Sequence, residues 1–221
     1  MMKSVFGIAL LALFCLRAQA EITFNIDALD LKTSGGASLM PVSGLVLLVA
    51  STTDATFGTL TAGSSLTVGS FLSGDDLILY RGDLSGTATP GYFQAGVAFS
   101  LGANNLTVND PVQLYWFPTL TVSTTSLSEG DTYGAYTHAT GLDGSAAWLV
   151  PNDPPGGLFD LKFFTQTSLA AGSNPDALGY ANFSVAPIPE ASNVITAVLA
   201  GGLCLFRLVR GARQKWINSL G

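Results

Sequence analysis

Short alternating apolar segments, each closed by a cluster of turn residues, limit what this chain can fold into more than anything else in it. In YFQAGVAFSL (92–101), Phe93, Ala95, Val97, Phe99 and Leu101 alternate with Tyr92, Gln94, Gly96, Ala98 and Ser100. A period of two sends successive side chains to opposite faces, so this segment predicts a strand with one face in a core. GLFDLKFFTQ (157–166) repeats the pattern, with Phe159, Leu161 and Phe163 on one face and Asp160 and Lys162 on the other. DLILYR (76–81) and PVQLYWFP (111–118) are similar, and SAAWLV (145–150) and LGYANFSV (178–185) complete the set. GLVLLVAS (44–51) is apolar on both faces, as a central strand would be. The segments between them, FLSGDD, RGDLSG, LSEGDTYG, GLDGS and PNDPPGG, are dense in turn formers. No sustained helical period with caps interrupts the series. The expectation is an all-β domain over 21–186, an antiparallel β-sandwich or jelly-roll-like fold.

Charge is sparse and unevenly placed. Charged residues are 11% of the 221, well below the roughly 25% usual in soluble proteins. Apolar residues are plentiful, which excludes disorder of the polar, highly charged kind. All fifteen acidic residues lie between Glu21 and Glu190, where only Lys32, Arg81 and Lys162 oppose them, a balance of −12. A domain this acidic has no basic patch with which to displace counterions from phosphates, so nucleic acid is not an expected partner.

The first twenty residues, MMKSVFGIALLALFCLRAQA, carry a basic Lys3, an apolar run from Val5 to Leu16, and a small-x-small site at Ala18 and Ala20 before Glu21. That is the layout of a secretory signal peptide, the substrate of signal peptidase. The two cysteines, Cys15 and Cys204, both fall outside 21–186, so the exported domain has no disulfide framework and relies on its core.

Within the domain, chemistry-bearing patterns are few. His138 is the sole histidine and has no cysteine or second histidine beside it, which favours a plain loop or strand histidine over a base or a ligand. No nucleophile elbow, phosphate loop or dinucleotide fingerprint is present. The expectation is therefore a non-enzymatic chain with no catalytic residues and no cofactor. Asp75 and Asp76, with Asp83, Asp131 and Asp143, lie in Gly-rich turns that suit a calcium ion, although Asp and Gly are also the ordinary vocabulary of β-turns. Arg81-Gly82-Asp83 is an adhesion tripeptide by letters only. In QLYWFP, an inward Trp116 would display Tyr115 and Phe117 as a sugar-stacking surface. The stronger reading is that both faces are partly buried, with Trp116 and Trp148 as core anchors.

After Pro189-Glu190 the composition changes. Ala191 to Phe206 holds no charge for sixteen residues, about 24 Å as a helix against roughly 30 Å of bilayer hydrocarbon. Arg207, Arg210, Arg213 and Lys215 follow, and such a cluster keeps its end of a span in the cytoplasm. The reading is a single C-terminal transmembrane helix. The whole stretch, PIPEASNVITAVLAGGLCLFRLVRGARQK, resembles the PEP-CTERM sorting signal of Gram-negative bacteria: a Pro-Glu-Pro motif, a brief span and an Arg-rich end. Pro189 and Glu190 match the first two motif positions, Ala191 stands at the third, and WINSLG trails the basic end.

The resemblance implies a sorting signal over 187–215 with a short tail at 216–221, following the signal peptide at 1–20. It implies an exosortase that removes the anchor, an inner-membrane precursor, and a mature protein at the cell surface or in an exopolysaccharide-containing extracellular matrix. It says nothing of the β domain. For that domain a carbohydrate-binding module is the second reading. A secreted glycoside hydrolase is the third, and it requires a cleft holding two close carboxylates.

Overall fold

In the first strand, β1 (Glu21–Leu29), Ile22, Phe24, Ile26 and Ala28 point one way and are wholly buried, while Thr23, Asn25 and Asp27 point the other. The computed structural model describes residues 21–142, 144–152, 157–165, 174 and 177–188. Seven further strands follow among these: β2 (Leu45–Ser51), β3 (Asp76–Gly82), β4 (Phe93–Ser100), β5 (Val112–Phe117), β6 (Thr132–Tyr136), β7 (Leu158–Phe164) and β8 (Phe183–Ser184). The helical elements described are two three-residue 3-10 turns. The chain divides after Ala186, and all eight strands belong to the unit before that point.

The strands form two sheets, one ordered β4-β1-β7 and the other β3-β2-β5-β6-β8. Their facing sides share one core, with Ile22, Phe24 and Ile26 from β1, Val46 and Leu48 from β2, Leu114 and Trp116 from β5, and Leu161 and Phe163 from β7. The fold is thus all-β and sandwich-like. Among the described strands pairing is antiparallel with one exception: β1 and β7 run parallel, Thr23 opposite Leu158 through Leu29 opposite Phe164. The expectation of an antiparallel sandwich or jelly-roll-like fold is corrected at that pair. A parallel neighbour needs a long crossover, and here nearly the whole domain supplies it.

A second core lies on the outer side of the five-stranded sheet. Leu45, Leu47 and Val49 of β2 and Tyr115 and Phe117 of β5 are covered there by Leu60, Leu66 and Leu72 from the β2–β3 connection and Leu120 and Leu127 from the β5–β6 connection. The two connections are stitched to each other: the Leu66 and Leu127 amides donate to the Thr125 and Ser64 carbonyls, each at 3.0 Å. This double cover explains why every residue of β2 is buried.

Two predicted strands are corrected. SAAWLV forms no strand; it makes two isolated bridges, Ser145 to Leu142 and Leu149 to Pro111, although Trp148 and Val150 are fully buried. LGYANFSV contributes only the two residues of β8. Conversely, β6 occupies Thr132–Tyr136, part of which reads as turn in LSEGDTYG.

Candidate functional site

Tyr115 and Phe117 are not displayed. They are 2% and 0% exposed, and Tyr115 packs against Phe57 and Tyr133 while Phe117 packs against Tyr133. The premise that an inward Trp116 would leave them at the surface is corrected: Trp116 is indeed in the inter-sheet core, but the loop cover buries the opposite face as well. Burial drives the Tyr115 phenol far above the usual tyrosine range, with Asp76 and Tyr133 adding to the rise.

The calcium candidates also resolve into turn chemistry. Asp75 Oδ2 accepts from the Thr53 amide at 2.5 Å and the Asp54 amide at 3.2 Å. Asp76 is 1% exposed, and its Oδ2 accepts from the Gly58 amide at 2.8 Å, while its Oδ1 is buried with no partner. Burial pushes the Asp76 carboxyl up to about 6; the Gly58 bond opposes the rise, and the charges of Asp75 and Asp54 add to it. Among the described residues no group of three or more His, Cys, Asp or Glu is placed to hold a metal ion. Asp143 lies outside the described residues.

Arg81 is held within the fold rather than offered to a partner, its guanidinium donating to the Val122 and Thr124 carbonyls. Asp83 accepts from the Ser85 amide and hydroxyl within its own turn. His138 follows β6, with Nδ1 buried and unpartnered and its carbonyl accepting from the Trp148 amide. Ala18, Ala20, Pro189, Glu190, Ala191, Arg207, Arg210, Arg213 and Lys215, with the span from Ala191 to Phe206, lie outside the described residues. Among the described residues no helix is long and apolar enough to cross a membrane.

A further set of polar side chains stands on the outer face of the three-stranded sheet. The register across β4, β1 and β7 builds two rows: Gln94, Asp27 and Lys162 in one, Gly96, Asn25 and Asp160 in the next. Neighbours in a row stand roughly 5 Å apart and the rows about 7 Å apart. Together they line a groove of about 460 Å³. Its floor includes Ile26 and Ala95, and because the Ile26 side chain is in the core, Ile26 gives the groove backbone only.

Gly96 opens one corner of the groove, since a Cβ there would have no atom within 4 Å. Asn25 Nδ2 donates to Asp160 Oδ1 at 3.1 Å, joining the two side chains. Asp27 Oδ1 is closed off from solvent with no partner. Burial raises the Asp27 carboxyl above the ordinary range, against a hydrogen bond from Tyr92 and the nearby Lys162 charge, with Asp160 adding to the rise.

Alternation in the sequence already turns Gln94, Gly96, Asp160 and Lys162 to one side of their strands. It carries no sign that β1 lies between those strands and joins them into one surface. Comparison with protein-family models, curated proteins and solved structures returns no match for this chain.

Proposed function

We propose that this chain is an exported surface or extracellular-matrix protein of a Gram-negative bacterium, non-enzymatic, held briefly in the inner membrane by its C-terminus and freed by an exosortase. The observation that carries the reading is the run from Pro189 to Lys215: a Pro-Glu motif, sixteen uncharged residues, then four basic ones. Positive charge at that end and an acidic domain at the other fit one orientation in a membrane.

One feature of the domain supports it. Ala186 is bonded to Leu60 and Ala62 through the backbone, three residues before Pro189, so cutting at the motif spares those bonds.

Intact-mass analysis of the protein from the envelope and medium of an exosortase-bearing host tests this, using an internal tag inserted at exposed Gly86. The expected mature species begins at Glu21 and ends between Pro189 and Ser192. A species that keeps Gly221 and stays in the inner membrane overturns the sorting reading and leaves a single-pass membrane protein.

A further inference from the structure

We infer that the groove across β4, β1 and β7 is a binding site for a neutral saccharide, built from Asn25, Asp27, Gln94, Asp160 and Lys162 around the opening at Gly96. The inference stands apart from the sorting reading, because it concerns the folded domain whatever becomes of its ends.

The ligand class follows from what the groove offers. At about 460 Å³ it falls within the roughly 300–1,000 Å³ of ordinary small-molecule sites. Its six named positions carry two carboxylates, two primary amides, one ammonium and a glycine. An anionic ligand would meet two negative charges against one positive. A divalent cation lacks the ligand set, since no cluster of three suitable residues stands among the described residues. An apolar ligand would find no large apolar side chain among these positions.

Hydroxyl-rich ligands fit instead. Each sugar hydroxyl both donates and accepts; Asp160 and the Oδ2 of Asp27 accept, the ammonium donates, and the amides do both. The Asn25–Asp160 bond at 3.1 Å holds part of this array in place before any ligand arrives, which lowers the ordering cost of binding.

Gly96 gives the test. It is exposed within a strand, its φ is not in the left-handed region, and its Cβ position is open. A valine there suits the strand while filling the groove. The full chain, purified in detergent, is titrated calorimetrically with neutral gluco-, manno- and galacto-oligosaccharides, and with a polyuronate for contrast.

Saturable binding of at least one neutral oligosaccharide is expected, reduced tenfold or more in Gly96→Val and in Gln94→Ala, with melting temperatures no lower than that of the parent. Binding that survives both substitutions within twofold overturns the assignment, as does preference for the polyuronate or no binding to any neutral oligosaccharide. Failure here leaves the C-terminal mass untouched, and failure of processing leaves this titration untouched.

Discussion

At Gly134 the two sheet strands β5 and β6 approach so that a Cβ would lie 2.0 Å from the Trp116 indole. Trp116 cannot withdraw easily: it is 2% exposed, packs on Phe163 at 5.7 Å, and donates from Nε1 to the Lys32 carbonyl at 3.3 Å. Gly134→Ala is therefore an overpacking change, expected to cost about 1–3 kcal/mol. Urea unfolding should show a lower midpoint with an unchanged slope.

Asp76 carries a different prediction. In the folded chain it keeps its proton up to about pH 6, against 3.8 for an ordinary aspartate, so between those values the folded state binds more protons than the unfolded one. Stability then falls as pH rises from about 4 through about 6 and levels above it. Asp27 adds to the same slope, whereas Asp54, whose carboxyl Thr56 holds below the ordinary range, acts at lower pH and with opposite sign. Asp76→Asn should flatten most of the decline and raise the melting temperature at pH 7, as calorimetric scans from pH 4 to 8 will show.

The roles of Trp116 and Trp148 as core anchors are legible from the sequence because large aromatic residues in apolar segments seek burial. The fate of Tyr115 and Phe117 is not, because it depends on leucines that arrive from two distant loops.

At the level of elements, β2, β3, β4, β5 and β7 stand close to where the period of two places them, and β2 has both faces buried as its composition predicts. EITFNIDAL alternates as cleanly as any of them, yet it abuts the small-x-small site, and only its pairing with β4 and β7 reveals it as the middle strand of its sheet. SAAWLV differs: Trp148 packs edge-on against Tyr136 at 5.2 Å and bonds through its backbone to His138 and Val112, and Val150 to Asp110 and Asn109, yet the bridges it makes are isolated ones.

The cover over the five-stranded sheet yields a prediction at this scale. Leu72 is 1% exposed within it, and Val122 on the neighbouring connection is 47% exposed. Leu72→Ala should cost about 2–5 kcal/mol, whereas Val122→Ala should stay within about 0.5 kcal/mol of the parent. Equal effects would mean that the cover is not part of the cooperative core.

For the whole molecule, an all-β domain with two sheets was within reach of pattern and composition, but the polar groove was not, because it exists only where three strands from distant parts of the chain lie side by side. The bond between Asn25 and Asp160 spans 135 residues. That span also governs how the domain comes into being. The first of the described strands to be made waits longest for its second neighbour, since β1 must wait for β4 and then for β7. Closing so long a loop before any contact rewards it makes folding slow. A chain that stops before Leu158 should show no cooperative unfolding by circular dichroism, and the complete chain should refold in milliseconds to seconds or slower rather than microseconds. A chain built this way leaves its first sheet incomplete until nearly all of the domain has been made.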